Sequence, residues 1–69
     1  MAVRDGRTIL VEVKSHVRRS DVAEFLRKTD FYTSKTGKTP DRKIIISPYV
    51  EEDAFEAARQ RDIKIYTET

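Results

Sequence analysis

Glu12 and Lys14 are the two residues of this chain whose types and spacing best suit chemistry. They sit in Ile9-Leu10-Val11-Glu12-Val13-Lys14, a short apolar run carrying one acid and one base two residues apart. Side chains alternate faces along a strand, so Ile9, Val11 and Val13 point one way and Leu10, Glu12 and Lys14 the other. The carboxylate and the ammonium then start roughly 6–7 Å apart on one face. A carboxylate so placed can bind a hard metal ion beside an ammonium that holds a water or an anion. The same alternation also describes an ordinary strand with a solvated outer face, where the two charges form an ion pair worth under about 1 kcal/mol.

Other chemistry-bearing groups have plainer readings beside them. Gly37-Lys38-Thr39 imitates the end of a phosphate-binding loop, but Tyr32 stands where that pattern needs its first glycine. That loop also follows a strand, whereas this one follows a helical pattern, so Gly37 reads as a helix stop. His16 is the only histidine. It could act as a general base, and with Arg18 and Arg19 nearby it also reads as a loop residue touching a phosphate. Eight Lys or Arg residues fall between Arg18 and Lys43, against four acids. Such a run tracks a phosphate backbone or forms a solvated helix face. Tyr49 and Tyr66 suit stacking on bases as well as closing the edge of a small core.

The elements that must position these groups are legible in order. Asp5-Gly6, flanked by Ala2-Val3 and Thr8-Ile9-Leu10, predicts a two-residue hairpin. Opposite residues then sum to 11: Arg4 faces Arg7, Val3 faces Thr8, Ala2 faces Ile9 and Met1 faces Leu10. Val11 to Lys14 outrun the first strand. Ser15-His16-Val17-Arg18-Arg19 reads as a polar, basic connection. Ser20 or Asp21 then caps a helix, and Asp21 with Glu24 resembles a capping box. Val22, Phe25, Leu26, Thr29, Thr33 and Thr36 recur at helical spacing, with Tyr32 at the margin and Phe31 on the opposite side. Lys43-Ile44-Ile45-Ile46-Ser47 predicts a strand buried on both faces, as in a parallel sheet, ended by Pro48. A second helix fits Glu51 to Arg61, with Val50, Ala54, Ala57 and Ala58 as a narrow inner stripe and charges matched to the helix dipole. Ile63-Lys64-Ile65-Tyr66 makes a final strand. The order β-β-α-β-α-β is an α/β arrangement, a mixed sheet with helices packed on it.

Composition bounds the rest. Sixty-nine residues make at most one small domain, residues 1–69, and such chains usually need a disulfide, a metal or a partner for stability. With no cysteine, disulfides and thiolate zinc sites are excluded. Charged residues make up 38% of the chain yet nearly cancel, to a net +2. That balance permits nucleic-acid binding without demanding it. No apolar run reaches the length of a signal-peptide core or a membrane span, so a cytoplasmic protein is expected.

Thr8-Ile9-Leu10-Val11-Glu12-Val13-Lys14-Ser15, with the helix that follows and Lys43-Ile44-Ile45-Ile46, resembles the PD-(D/E)XK nuclease superfamily, closest to its uncharacterised archaeal and bacterial members. The resemblance runs from the hairpin to Ile63-Lys64-Ile65-Tyr66 and implies a partial restriction-endonuclease-like core. It implies that Glu12 binds Mg²⁺ or Mn²⁺ through its carboxylate, with the Val13 carbonyl as a second oxygen ligand. Lys14 would orient or help deprotonate the attacking water. His16, Arg18, Arg19 and Lys38 would contact nucleic acid, DNA in the first instance. The departures are specific. The family's aspartate lies on the strand before the Glu-x-Lys strand, and the position facing Glu12 falls before Met1; Asp5 stands at the far end of the strand. The family's opening helix and first strand are not in the sequence. Some relatives carry Gln-x-x-x-Tyr on the following helix; the nearest equivalent here is Lys28 with Tyr32. The expectation is a nuclease-like domain, a homo-oligomer or part of a larger chain, whose metal binding is weak or absent and whose catalysis is incomplete. The alternative is a non-catalytic nucleic-acid-binding or dimerising α/β module.

Overall fold

The structure, a computed structural model, describes residues 2–4 and 7–67, with the backbone alone for 2–4. Six elements follow in the expected order: β1 (Ala2–Arg4), β2 (Arg7–Val13), α1 (Arg19–Thr36), β3 (Arg42–Ile46), α2 (Glu52–Gln60) and β4 (Ile63–Tyr66). They form one four-stranded sheet in the order β1-β2-β3-β4. The hairpin register is the expected one, Ala2 with Ile9, Val3 with Thr8 and Arg4 with Arg7. Its turn and the Met1–Leu10 pair lie outside the described residues. Strands β2, β3 and β4 are parallel throughout. The only antiparallel pairing among the described residues is that of the three-residue β1. The expectation of a mixed sheet reduces to this one short strand.

Both helices pack on one face of the sheet. Successive crossovers of one hand, stepping in one direction from β2 to β3 to β4, leave their helices on the same side. The core between the layers is Val17, Val22, Phe25, Ile45, Ala54, Ala58 and Ile63, with Leu10, Leu26, Val50, Ala57 and Ile65 packed against it. Small residues on α2 let it approach the sheet closely, as its alanine stripe anticipates.

Among the described residues, no helix covers the opposite face of the sheet. This corrects the reading of β3 as buried on both faces: Ile45 is buried, but Ile46 is 39% exposed. The register sets Val13, Ile46 and Tyr66 in one row, and Val13 and Tyr66 are 73% and 45% exposed. Parallel strands normally have both faces covered. Here only one set of side chains is.

Helix α1 begins earlier than the capping pattern suggests. Its N-cap is Arg18, and Asp21 acts from inside the first turn, its carboxylate accepting the Arg18 N–H at 2.8 Å. The Asp21 N–H donates in return to the Arg18 carbonyl at 2.9 Å. The reciprocal pair is therefore Arg18–Asp21 rather than Asp21–Glu24. The helix ends as expected at Gly37, whose φ of 72° is left-handed and whose N–H donates to Thr33 O at 2.8 Å. Phe31 is exposed, with the Lys35 ammonium 5.4 Å from its ring centre.

The basic connection after β2 contains a core residue. Val17 is completely buried and bridges to Val50 in parallel. Its N–H donates to Tyr49 O at 2.9 Å, and Glu51 N–H donates to Val17 O at 3.0 Å. Two loops at the carboxyl ends of β2 and β3 are thereby zipped together.

Candidate active site

Glu12 and Lys14 share the helix-covered side of β2 with the buried Thr8 and the core-packed Leu10. Ile9, Val11 and Val13 take the open side. The apolar residues thus face outward and the charged pair faces α1, the reverse of a strand that turns its polar side to water. A polar pair on a covered face needs partners, and α1 supplies both. The Lys28 ammonium donates to Glu12 Oε2 at 3.2 Å and to Oε1 at 3.5 Å. Lys14 Nζ lies 3.2 Å from Asp21 Oδ1.

Helical spacing explains the match. Asp21 and Lys28 are seven residues apart, about two turns or 10.5 Å along the axis, and fall on one face. Each reaches one member of the Glu12–Lys14 pair. One turn beyond Lys28, the Tyr32 hydroxyl lies 3.4 Å from Thr8 Oγ1. Lys28 and Tyr32, the nearest equivalents of Gln-x-x-x-Tyr, therefore do face the Glu-x-Lys strand. At the other end of β2, Thr8 is held by Asp41, which accepts its N–H at 2.7 Å and donates its own N–H to Thr8 O at 2.8 Å.

The Asp21 carboxyl is held below its ordinary value, first by the Arg18 N–H and then by Lys14, against the opposing effect of burial. Its negative charge is thus secured beside Lys14.

Two oxygen groups of the type that hard cations take lie at the end of β2, the Glu12 carboxylate and the Val13 carbonyl. Lys14 N–H donates to Ile46 O at 3.0 Å, and Asp41 N–H donates to Thr8 O. Backbone groups of even-numbered residues therefore point to β3 and those of Val11 and Val13 to the opposite edge. Pairing with β1 stops at Ile9, so among the described residues the Val13 carbonyl faces no strand. Glu12 supplies the carboxylate. No group of three or more His, Cys, Asp and Glu residues among those described is arranged to hold a metal ion. A carboxylate and a backbone carbonyl are oxygen donors of the type Mg²⁺ takes, the rest of its shell being water or phosphate.

The residues expected to touch nucleic acid divide into two groups. Arg18 and Arg19 are exposed at the start of α1, beside Lys14. His16 is turned towards the 47–51 loop, its Nε2 3.3 Å from Glu51 Oε2 and its ring edge-to-face with Tyr49. Lys38 is exposed past the other end of the 18-residue helix, about 27 Å away along its axis. Three surface grooves lie along α2 and β4, beside residues 39–44, and between the helices, and neither Glu12 nor Lys14 lines any of them. The candidate site lies on the carboxyl half of β2, beyond the residues that pair with β1.

Sequence reasoning missed Asp21 as the partner of Lys14 and Val17 as a buried support, and reached Lys28 only as a family-motif equivalent, not as the partner of Glu12. The available signal was the seven-residue spacing of Asp21 and Lys28 on the helix face that packs on β2. Compared with known proteins, residues 1–64 match the family model of the PD-(D/E)XK nuclease superfamily. No curated protein and no solved structure matches the chain.

Proposed function

From the premise that this chain belongs to the PD-(D/E)XK nuclease superfamily, we propose that its site is the metal-dependent phosphodiester site of that family, acting on nucleic acid and first of all on DNA. The observation that carries this reading is the Glu12–Lys14 pair on the covered face at the carboxyl end of β2, next to a Val13 carbonyl that no strand pairs among the described residues. Glu12 and the Val13 carbonyl would hold Mg²⁺ or Mn²⁺. A divalent ion bound there supplies neutralisation of the charge that develops on the phosphate. Lys14, held by Asp21, directs its remaining ammonium protons at the attacking water or at a phosphate oxygen. Arg18 and Arg19 extend the positive surface from the start of α1, where the helix dipole also favours a phosphate. With one metal-binding carboxylate in the site, metal binding is weak and cleavage by these residues is slow or nil.

The test is a Mg²⁺ or Mn²⁺ titration followed by NMR on the wild type and on Glu12→Gln, with a cleavage assay on single- and double-stranded DNA. Saturable shifts at Glu12, Val13 and Lys14 that disappear in Glu12→Gln support the reading. Shifts of equal size in the variant, or none at millimolar metal, overturn it.

A second reading is favoured by the two ion pairs, which already neutralise Glu12 and Lys14. In it the domain binds nucleic acid without cutting it, or self-associates through the uncovered sheet face. Salt-dependent DNA affinity without cleavage distinguishes the first of these, and a concentration-dependent mass the second. No helix among the described residues is long and apolar enough to cross a membrane.

A further inference from the structure

We infer that Lys28 is a built-in competitor for the metal at Glu12, so that its ammonium sets the metal concentration at which the site fills. This inference rests on the reading of Glu12 as a metal ligand.

The geometry is specific. Lys28 Nζ lies 3.2 Å and 3.5 Å from the two Glu12 oxygens, so one ammonium spans the carboxylate that a divalent ion would use. An ammonium and a divalent cation on the same carboxylate repel each other, and binding the metal requires Lys28 to withdraw. Withdrawal is open to it. Its side chain is more than half exposed and carries a flexible four-carbon stem. Its backbone stays in place, because Asp21 and Tyr32 tie the turns on either side of it to Lys14 and Thr8. The helix therefore does not have to move for the cations to exchange. Once displaced, the ammonium remains within a side-chain length of the site, where a phosphate oxygen of the substrate is its natural partner. Lys28 is thus a positioning residue acting through Glu12.

The competition has a signature that a general field effect lacks. Lys28→Gln removes the charge and leaves a polar side chain one atom shorter. Arg27→Gln makes the same change in net charge one residue away, on an exposed part of the same helix. Lys28→Arg keeps a cation at the site. Metal dissociation constants for all four proteins come from a Mn²⁺ or Mg²⁺ titration read at the Glu12 and Val13 NMR signals, with the Lys28 side-chain carbons followed in the wild type. Removal of a partly exposed ion pair worth up to about 1 kcal/mol predicts binding up to about fivefold tighter in Lys28→Gln, and tighter than in Arg27→Gln. Arg27→Gln and Lys28→Arg should stay within about a factor of two of the wild type. The Lys28 side-chain signals should shift along the same binding curve. Equal tightening in Lys28→Gln and Arg27→Gln overturns the inference, as does unchanged saturable binding in Lys28→Gln; in both cases Glu12 remains a metal ligand. No saturable binding in any of the four proteins overturns the metal reading itself and the inference with it. The amide spectrum of each variant reports its folding directly, and Lys28 contributes nothing to the core.

Discussion

Breaking the two strand-to-helix ion pairs should cost the fold little, which is what makes the site testable by mutation. Each pair has a closest approach of 3.2 Å. Two unit charges at that distance attract by about 1.3 kcal/mol in bulk water. Ordering a long lysine chain and salt screening reduce this, so the expected coupling is about 0.2–1 kcal/mol per pair. Lys14 and Asp21 are 34% and 20% exposed, Lys28 and Glu12 56% and 25%, so the first pair should be the stronger. Two double-mutant cycles measure this by urea unfolding: Glu12→Gln with Lys28→Gln, and Lys14→Gln with Asp21→Asn. The hydrogen bond from Arg18 N–H to residue 21 changes equally in the single and the double variant and so cancels from the cycle. For 69 residues the unfolding entropy is about 0.14 kcal/mol/K, so 1 kcal/mol corresponds to about 7 °C in Tm. Glu12→Gln should therefore melt within about 7 °C of the wild type. A coupling above about 2 kcal/mol in either cycle would refute the reasoning. The quartet would then be structural cement between β2 and α1, and a loss of activity in Glu12→Gln would no longer speak for chemistry.

Other consequences are equally direct. Ile45 is completely buried at the centre of the sheet, so Ile45→Ala should cost about 2–5 kcal/mol in denaturant unfolding, several times any site variant. The Asp21 carboxyl titrates below its ordinary value, so its charge stabilises the fold fully above the ordinary carboxylate range, and that contribution is lost as pH falls through the lower, folded-state value. The stability gap between the wild type and Asp21→Asn should accordingly be complete at about pH 6 and shrink towards about pH 2. Gly37 has nothing within 4 Å of an added Cβ, so Gly37→Ala should cost only the backbone strain of a positive φ, about 1–2 kcal/mol. Val13→Thr with Ile46→Thr should weaken any concentration-dependent association seen by analytical ultracentrifugation; an unchanged mass would show that the open face is not the contact.

Much of this architecture follows from local rules. The Asp5-Gly6 signal predicted the β1–β2 register because a tight hairpin leaves one pairing. Gly37 ended α1 because a left-handed residue there costs glycine nothing, and Ile63-Lys64-Ile65-Tyr66 alternated as a strand must. That Glu12 and Lys14 share a side is likewise a property of the pleat. Which side it is belongs to the tertiary structure. Period-two alternation leaves two equivalent faces, and the choice was made by crossovers that carry both helices to the side of Leu10, Glu12 and Ile45. The same long-range placement brought Lys28 to Glu12 across sixteen residues and sealed Val17 against Val50, contacts that no local propensity encodes. It also brought Lys14 to the Asp21 carboxylate that caps α1 at Arg18. Local pattern suffices for the elements, the hairpin register and the candidate pair, whereas the charges that pair meets depend on α1 lying against β2, because its partners are seven and sixteen residues away along the chain.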